Sequence, residues 1–223
     1  IKKIMTKSIY KYRIYGRNKG RKKIQSMDYN FVNNYILNPN IDIKKNKRVI
    51  LDIGSGNGEN SLLLSKTNTD SLIIACEIFI DGHINLSRQL FKLKLNNVKL
   101  FSFNVLRLFD QLKEDKYFDE IWILFPDPWE KNRHHKRRLI NNNFFNLVYP
   151  FIKNEGKIFI ATDSKSYLNS IIKSMYDIQL KFRWENDKPQ NWFYEQQDLA
   201  HTKYFKKARN SYKSSFFIQL IKI

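Results

Sequence analysis

The chain has 223 residues, 42% of them hydrophobic, and carries 40 Lys and Arg against 21 Asp and Glu, which gives a net charge of +19. This hydrophobic content excludes wholesale disorder, and the single Cys76 excludes an internal disulfide and suits a reducing compartment. No apolar run approaches the roughly twenty residues that cross a bilayer. We therefore expect a soluble, cytoplasmic protein with a polyanionic partner, either nucleic acid or an anionic membrane surface.

The N-terminal segment, residues 1–27, holds ten Lys or Arg and no acidic residue. Its glycines and isolated aromatic residues disfavour a long amphipathic helix, so we predict a basic arm that orders on a phosphate backbone, with a solvated tail as the alternative. The chain begins at Ile1 without a preceding Met, which leaves open whether it is a piece cut from a longer polypeptide. Residues 28–46, which include Pro39, predict one short helix and a connection.

Apolar runs then alternate with helical periodicity. The predicted strands cover residues 48–53, 71–77, 98–103, 119–125 and 156–162. The predicted helices cover residues 59–65, 81–95, 143–152 and 164–176. This alternation is typical of an α/β fold with a mainly parallel sheet that is covered on both faces.

The end of the chain shows a different pattern. Two predicted strands, residues 180–184 and 215–221, would pair as a C-terminal antiparallel hairpin. Between them lies an insertion, residues 185–213, with no obvious helical pattern and with aromatic residues among Lys and Arg. A long irregular segment in a compact domain is usually functional or disordered.

A glycine-rich turn follows the first predicted strand. Gly54, Gly56 and Gly58 have the spacing G-x-G-x-G, and Glu59 stands where a dinucleotide-binding fingerprint has its third glycine. A carboxylate there would repel a pyrophosphate. A ligand with a cationic centre and no phosphate fits better, so we predict S-adenosylmethionine, with Asp52 accepting a hydrogen bond from its ammonium group.

Polar residues stand at four successive predicted strand ends. They are Asp52, Glu77, Asn104 and Asp127. Ligands of open parallel sheets bind beyond the carboxyl ends of the strands, so these side chains are expected on one rim, with Glu77 at the ribose and Asn104 at the adenine. Each alone is also explained as a helix cap, a turn former or a surface acid.

The stretch from Leu124 to Arg138 is the most distinctive part of the chain. Pro126 and Pro128 bracket Asp127, which predicts a stiff turn, and Trp129 adds a flat ring beside it. The following residues 131–138 contain five Lys or Arg and two His. This combination is suited to nucleic-acid binding: the acid and the aromatic ring can hold a nucleobase while the cationic residues bind its phosphates. The alternative is a solvent-exposed basic surface, which is the usual role of such charge runs.

The glycine turn together with F-P-D-P-W-x-K-x-R-H-x-K-R-R-L at residues 125–139 resembles the bacterial tRNA (guanine-N7)-methyltransferases. The resemblance runs from about Arg13 to the C-terminus. It implies a Rossmann-like class I methyltransferase domain over residues 28–223 that methylates a guanine N7 in the variable loop of tRNA. It implies a monomer or homodimer without an obligate partner subunit and without a metal.

The resemblance also implies residue roles. Asp127 would be the active-site acid, and the donor would be bound by Asp52, Gly54, Gly56, Glu77, Asn104 and Asp127. Substrate would be contacted by Lys131, Asp163 and the segment Thr202, Lys203, Tyr204, Phe205, and we add Arg133, His134, Arg137 and Arg138 from the cationic run. In the family a Glu stands at the position of Phe205, so a stacking contact would replace a hydrogen bond there.

Two other functions remain open at this point. One is an S-adenosylmethionine-dependent enzyme that acts on an exocyclic amine of RNA or protein; such enzymes place two prolines after the acid or Asn, whereas here one proline precedes Asp127. The other is a non-catalytic RNA-binding subunit with a decayed pocket. The set Asp52, Gly54, Glu77 and Asp127 favours an intact donor site.

Overall fold

The computed structural model describes residues 26–113, 115–194 and 199–223. All but the last two residues of the predicted basic arm, 1–27, lie outside these ranges. Within them, no helix is both long enough and apolar enough to span a membrane.

One seven-stranded sheet organises the described residues, with the order β3-β2-β1-β4-β5-β7-β6. The first five strands are mutually parallel, and β7 pairs antiparallel with both β5 and β6. This confirms the predicted parallel sheet with a C-terminal antiparallel hairpin. The strands are β1 (Val49–Ile53), β2 (Leu72–Cys76), β3 (Val98–Phe101), β4 (Phe118–Leu124), β5 (Ile152–Thr162), β6 (Phe182–Trp184) and β7 (Phe216–Lys222).

Helices cover both faces of the sheet. Those in the described part of the chain are α1 (Ser26–Asn33), α2 (Pro39–Lys45), α3 (Glu59–Thr67), α4 (Ile80–Leu93), α5 (Val105–Gln111), α6 (Asn142–Val148), α7 (Lys165–Asp177) and α8 (Lys203–Asn210). The buried residues fall into two clusters, and successive residues of β1 alternate between them: Leu51 packs in one and Ile50 in the other. Two-sided burial explains why the strands are almost wholly apolar.

Four features of the helices differ from the sequence prediction. Residues 28–46 form parts of two helices instead of one, and α5 was not predicted because its seven residues are too few to show a period. The helix predicted over 143–152 ends at Val148, because Pro150 lies in a 3₁₀ turn that leads directly into β5. The fourth feature is α8, which lies inside the predicted insertion 185–213.

One asparagine joins the insertion to the sheet by side-chain hydrogen bonds, beside backbone bonds such as that from the Phe217 amide to the Trp192 carbonyl. Asn186 Nδ2 donates to the carbonyls of Asn191 and Phe217, and its Oδ1 accepts from the Gln219 amide and from Trp184 Nε1. Helix α8 is strongly polar and buries only Phe205 and Ala208. Because these two residues are only three positions apart, they show no helical period, which explains why the helix was not predicted.

Candidate active site

The glycine turn between β1 and α3 has the backbone that its sequence requires. Gly54, Gly56 and Gly58 have φ values of 74°, 57° and 86°. An L-residue rarely adopts this left-handed region, whereas glycine enters it without steric cost. The turn therefore opens a cleft at the carboxyl end of the sheet, where both Gly54 and Gly56 line the wall.

A fourth glycine, Gly82 in the helix that packs against this turn, leaves room for the turn's backbone. A Cβ on Gly82, in the first turn of α4, would lie 1.9 Å from the Gly56 carbonyl oxygen. The absence of a side chain at Gly82 thus lets α4 press against the turn. Sequence reasoning missed Gly82, because a single glycine at a helix start is an ambiguous signal.

Glu77 braces the same turn. Its carboxylate follows β2 and accepts from the amides of Gly56 at 2.9 Å, Ile78 at 2.7 Å and Phe79 at 3.0 Å. The Gly56 contact places Glu77 beside the glycine turn, and its role as the ribose-binding acid stays a prediction.

Asp52 is the buried anion of the cleft. It lines the wall, is 1% exposed, and accepts hydrogen bonds from Asn60 Nδ2 at 3.1 Å and Ser61 Oγ at 2.6 Å. Burial raises its pKa to about 6, against the lowering effect of these two bonds. Both donors are neutral, so the site retains the chemistry to receive a cationic group.

Asn104 is placed differently from the expectation. Strand β3 ends at Phe101, and Asn104 is the N-cap of α5, where its Oδ1 accepts from the Leu106 amide at 3.0 Å. Because the capping bond occupies Oδ1, a hydrogen bond from Asn104 to adenine would be donated by the side-chain Nδ2 group.

The turn that carries Asp127 is strained at both ends. Phe125 and Trp129, which flank it, have φ values of 53° and 44°, although neither is glycine. Such values are outliers for bulky residues and persist only where surrounding contacts enforce them. The turn leaves the end of β4 and exposes the Asp127 side chain.

Aromatic packing holds the Phe125 end. Its ring lies 5.2 Å from that of Tyr194 and 6.4 Å from that of Phe205. Phe205 is 2% exposed and packs against Tyr194 at 4.7 Å. The expected stacking of Phe205 on substrate is therefore corrected: the side chain is enclosed by protein and fastens α8 to the Asp127 turn.

The N-terminus of α8 forms one side of the cleft. Thr202 caps the helix by accepting from the Phe205 amide, and Thr202, Lys203 and Tyr204 line the cleft. Burial, followed by the carboxylates of Asp127, Glu77 and Glu59, raises the pKa of Tyr204. Tyr204 is 53% exposed, so its ring is accessible at the cleft.

The cationic run forms a 3₁₀ helix, Asn132–Arg137, beside Asp127. Lys131 and Arg133 are exposed, and the Arg137 guanidinium lies over the Trp129 ring at 4.9 Å. His134 meets the Trp129 ring edge-on at 5.9 Å, and partial desolvation together with the surrounding cations lowers its pKa. Arg138 differs from its neighbours, because it is only 5% exposed.

The remaining candidates complete the rim. Asp163 follows β5 and lies 4.0 Å from Lys213 Nζ. Within the described residues, no cluster of three or more His, Cys, Asp or Glu is suited to a metal ion. The cleft also has wall residues that sequence reasoning did not select: Ser55, Asn57, Glu59, Asn60, Phe79 and Leu124.

The fold is that of a class I S-adenosylmethionine-dependent methyltransferase, and the cleft lies at the carboxyl end of the sheet, where such folds bind their ligands. The known structures agree on the fold. An rRNA methylase from Streptococcus thermophilus superposes with a TM-score of 0.52 over 92% of this chain and 99% of that chain, at 14% identity. A family model described as a putative methyltransferase matches residues 46–218.

Sequence comparison identifies the particular family. A tRNA (guanine-N(7)-)-methyltransferase from Hyphomonas neptunium is 32% identical over 167 residues, 75% of each chain. A tRNA (guanine-N(7)-)-methyltransferase from Wolbachia pipientis is 40% identical over 131 residues. That match covers 56% of this chain and 56% of the relative. This chain belongs to the tRNA (guanine-N7)-methyltransferase family, which confirms the resemblance drawn from the sequence motifs.

Gly82→Ala tests the close approach of α4 to the glycine turn. Helix propensity alone favours alanine by roughly 1 kcal/mol, but the added Cβ collides with the Gly56 carbonyl. We expect a lower melting temperature and at least about tenfold weaker S-adenosylmethionine binding by calorimetry, an order of magnitude typical of a displaced binding group. Lys92→Ala, on the exposed end of the same helix, is the control and should change neither quantity. A more stable Gly82→Ala protein would contradict the clash.

Asp52→Asn tests the buried carboxylate. Because the folded-state pKa is raised from 3.8 to about 6, the folded protein binds more protons than the unfolded chain between these values, and stability falls as pH rises through that window. The new amide would pair with Asn60 Oδ1, which has no hydrogen-bond partner among the described residues. We expect the variant to be more stable than the parent at pH 7.5, by up to about 3 kcal/mol, with little difference near pH 4.

The same variant should bind S-adenosylmethionine more weakly, since an amide carries no charge to attract the ammonium group. Denaturant unfolding at the two pH values and calorimetric titration measure both effects. Asp70→Asn, an exposed carboxylate after α3, is the matched control and should alter neither. Equal free energies of unfolding for parent and variant at pH 7.5 would contradict the prediction, because they would show that the hydrogen bonds to Asp52 fully offset the cost of burying its charge.

Proposed function

We propose that this protein transfers the methyl group of S-adenosylmethionine to N7 of a guanine in the variable loop of tRNA. The observation that carries the proposal is the position of the Asp127 turn. It lies at the carboxyl end of β4, next to β1 with its donor cleft, and it continues into the exposed cationic helix. One rim thus offers a donor site, an acidic side chain and a phosphate-binding surface.

The residues of the cleft fit the donor. Asp52 supplies a buried negative charge whose present partners are neutral, which suits an ammonium group. The turn around Gly54 and Gly56 leaves room for close approach of a ligand to the backbone, and Glu77 and Asn104 are the proposed ribose and adenine contacts. S-adenosylmethionine supplies an electrophilic methyl group on a sulfonium centre when it is bound there.

Asp127 is proposed to orient the guanine. Guanine N7 has an in-plane lone pair at neutral pH, so no base has to remove a proton before it is methylated. The main requirement is alignment of N7 with the methyl group. An exposed carboxylate can accept from the Watson–Crick edge of the base and favours the positive charge that develops on it. Tyr204, which lines the cleft and is 53% exposed, is proposed to pack beside the base.

The cationic surface is proposed to grip the tRNA backbone. Lys131 and Arg133 are exposed, and Arg137 with Trp129 forms a cation–π pair at the edge of the site. Phosphate contacts supply sequence-independent affinity, and they can offset the few kcal/mol that drawing a base out of its stack requires. The basic arm, Asp163, a cytoplasmic location and a monomeric or homodimeric state remain predictions.

The decisive experiment is incubation of the protein with methyl-labelled S-adenosylmethionine and unmodified tRNA, followed by nucleoside analysis and mapping of the labelled position. We expect label in 7-methylguanosine within the variable loop. Label on an exocyclic amine would indicate the other methyltransferase class. Donor binding by calorimetry without any transfer to tRNA would contradict the proposed substrate, and absence of donor binding would indicate a non-catalytic RNA-binding protein.

Asp127→Asn tests the role of the acid with almost no change in shape. We expect kcat to fall about 10²-fold, because a preorganised charge is lost, while the Kd for tRNA changes less than about threefold. Single-turnover methylation and filter binding measure the two. Asp187→Asn, which removes an exposed negative charge elsewhere, should retain full activity. Equal turnover by the Asp127 variant would refute its catalytic role.

A further inference from the structure

Arg138 does not lie on the cationic surface to which its sequence position assigns it. It directly follows the six-residue basic helix, yet its side chain is 5% exposed, whereas Lys136 is exposed and Arg137 is half-buried. The backbone changes at this point from the 3₁₀ helix to an extended conformation, with φ −60° and ψ 130° at Arg138. A guanidinium so enclosed is not available to a phosphate of the tRNA.

All three nitrogens of the guanidinium are used within the protein. Nε donates to the Pro128 carbonyl at 2.8 Å, Nη1 donates to the Ser166 carbonyl at 3.2 Å and to Ser170 Oγ, and Nη2 donates to Ser166 Oγ at 2.8 Å. The group also lies over the Tyr167 ring at 4.9 Å. The fixed fork of an arginine matches this arrangement, and a lysine ammonium cannot reproduce it.

These contacts join two specific parts of the fold. Pro128 immediately follows Asp127, while Ser166, Tyr167 and Ser170 belong to α7, which is packed on the sheet. Tyr167 is fully buried, and its hydroxyl accepts from the Ile140 amide at 2.9 Å, so the helix side of the connection is firm. The bond from Arg138 Nε to Pro128 therefore anchors the acid-bearing turn to a rigid element.

The turn needs such an anchor. Phe125 and Trp129 on either side of it hold left-handed backbone conformations, which cost of order 1–3 kcal/mol each and persist only where neighbouring contacts impose them. Packing on Tyr194 and Phe205 restrains the Phe125 end. Arg138 restrains the other end, at Pro128.

We propose that Arg138 is a positioning residue for methyl transfer: through the Pro128 carbonyl it fixes the Asp127 carboxylate relative to the donor cleft, and it does not contact tRNA. The inference rests on the proposed function, in which Asp127 orients the guanine. It divides the basic run into exposed residues that bind phosphate and one buried residue that shapes the site.

Arg138→Lys separates positioning from phosphate binding, because it keeps the charge and removes the fork. We expect kcat to fall about 10-fold to 10²-fold, the loss that follows a displacement of about 1 Å at a reacting centre. The Kd for tRNA, and its dependence on salt, should equal those of the parent. Arg133→Gln provides the comparison for a phosphate contact and should weaken tRNA binding and reduce the salt slope by about 1.

Two further variants distinguish a loss of positioning from a general loss of folding. Arg183→Lys, the same substitution at an exposed position of β6, should leave kcat, Kd and melting temperature unchanged. Ser170→Ala removes one acceptor of the fork without changing any charge, and it should lower kcat several-fold at an unchanged Kd for tRNA. The double variant with Arg138→Lys should lose little more than Arg138→Lys alone, since both act through one contact.

The outcomes are distinct. A reduced salt slope with unchanged kcat in Arg138→Lys would make Arg138 a phosphate contact and overturn the proposal. If Arg138→Lys loses donor binding and melts early, Ser170→Ala decides, and its full activity would overturn the proposal as well. Failure of the parent protein to form 7-methylguanosine in tRNA would refute the proposed function instead, and this is measured first.

Discussion

The site depends on one constraint, the parallel pairing of β1 with a neighbour on each side. Asp52 lies in register with Ala75 of β2 and with Trp122 of β4. From β1 the chain passes to β2 and β3 on one side, and from β3 it crosses back to β4 on the other side of β1. The connections that follow β1 and β4 therefore lead to opposite sides, and a cleft opens between them. The same pairing brings the carboxyl ends of all three strands to one edge. The glycine turn, Glu77 and the Asp127 turn therefore lie at one edge of the sheet, and the bond from the Gly56 amide to Glu77 joins the first two.

The edge is built at the expense of local stability. Asp52 is a carboxylate whose pKa burial raises to about 6, and Phe125 and Trp129 hold strained backbone conformations. Functional sites are where folded proteins tolerate such local conflicts, because the rest of the core compensates for them. Here the compensation is local and identifiable. Asn60 and Ser61 support Asp52, Tyr194 and Phe205 pack on Phe125, and Arg138 holds Pro128.

The sequence was informative where structure follows from periodicity and chain order. Strands β1 to β5 were predicted because apolar runs alternate with helical spacing, and the rim followed from polar residues at strand ends. The orientation of single side chains was not predictable in this way. Asn104 proved to be a helix cap, and Phe205 was enclosed by aromatic rings that are distant in sequence. Helix α8 was missed because its two buried residues span less than one full turn.

Arg137 and Arg138 show why a run of charge cannot be interpreted as one surface. A 3₁₀ helix turns once every three residues, so within Asn132–Arg137 the side chains spread around the axis, and His134 and Arg137, three residues apart, both reach Trp129. At Arg138 the backbone becomes extended, and the next side chain is directed towards α7. Adjacent arginines of equal charge thus face different environments, and the difference arises from one pair of backbone angles. The net charge of +19 therefore includes cations that hold the fold, and it overstates the number available to RNA.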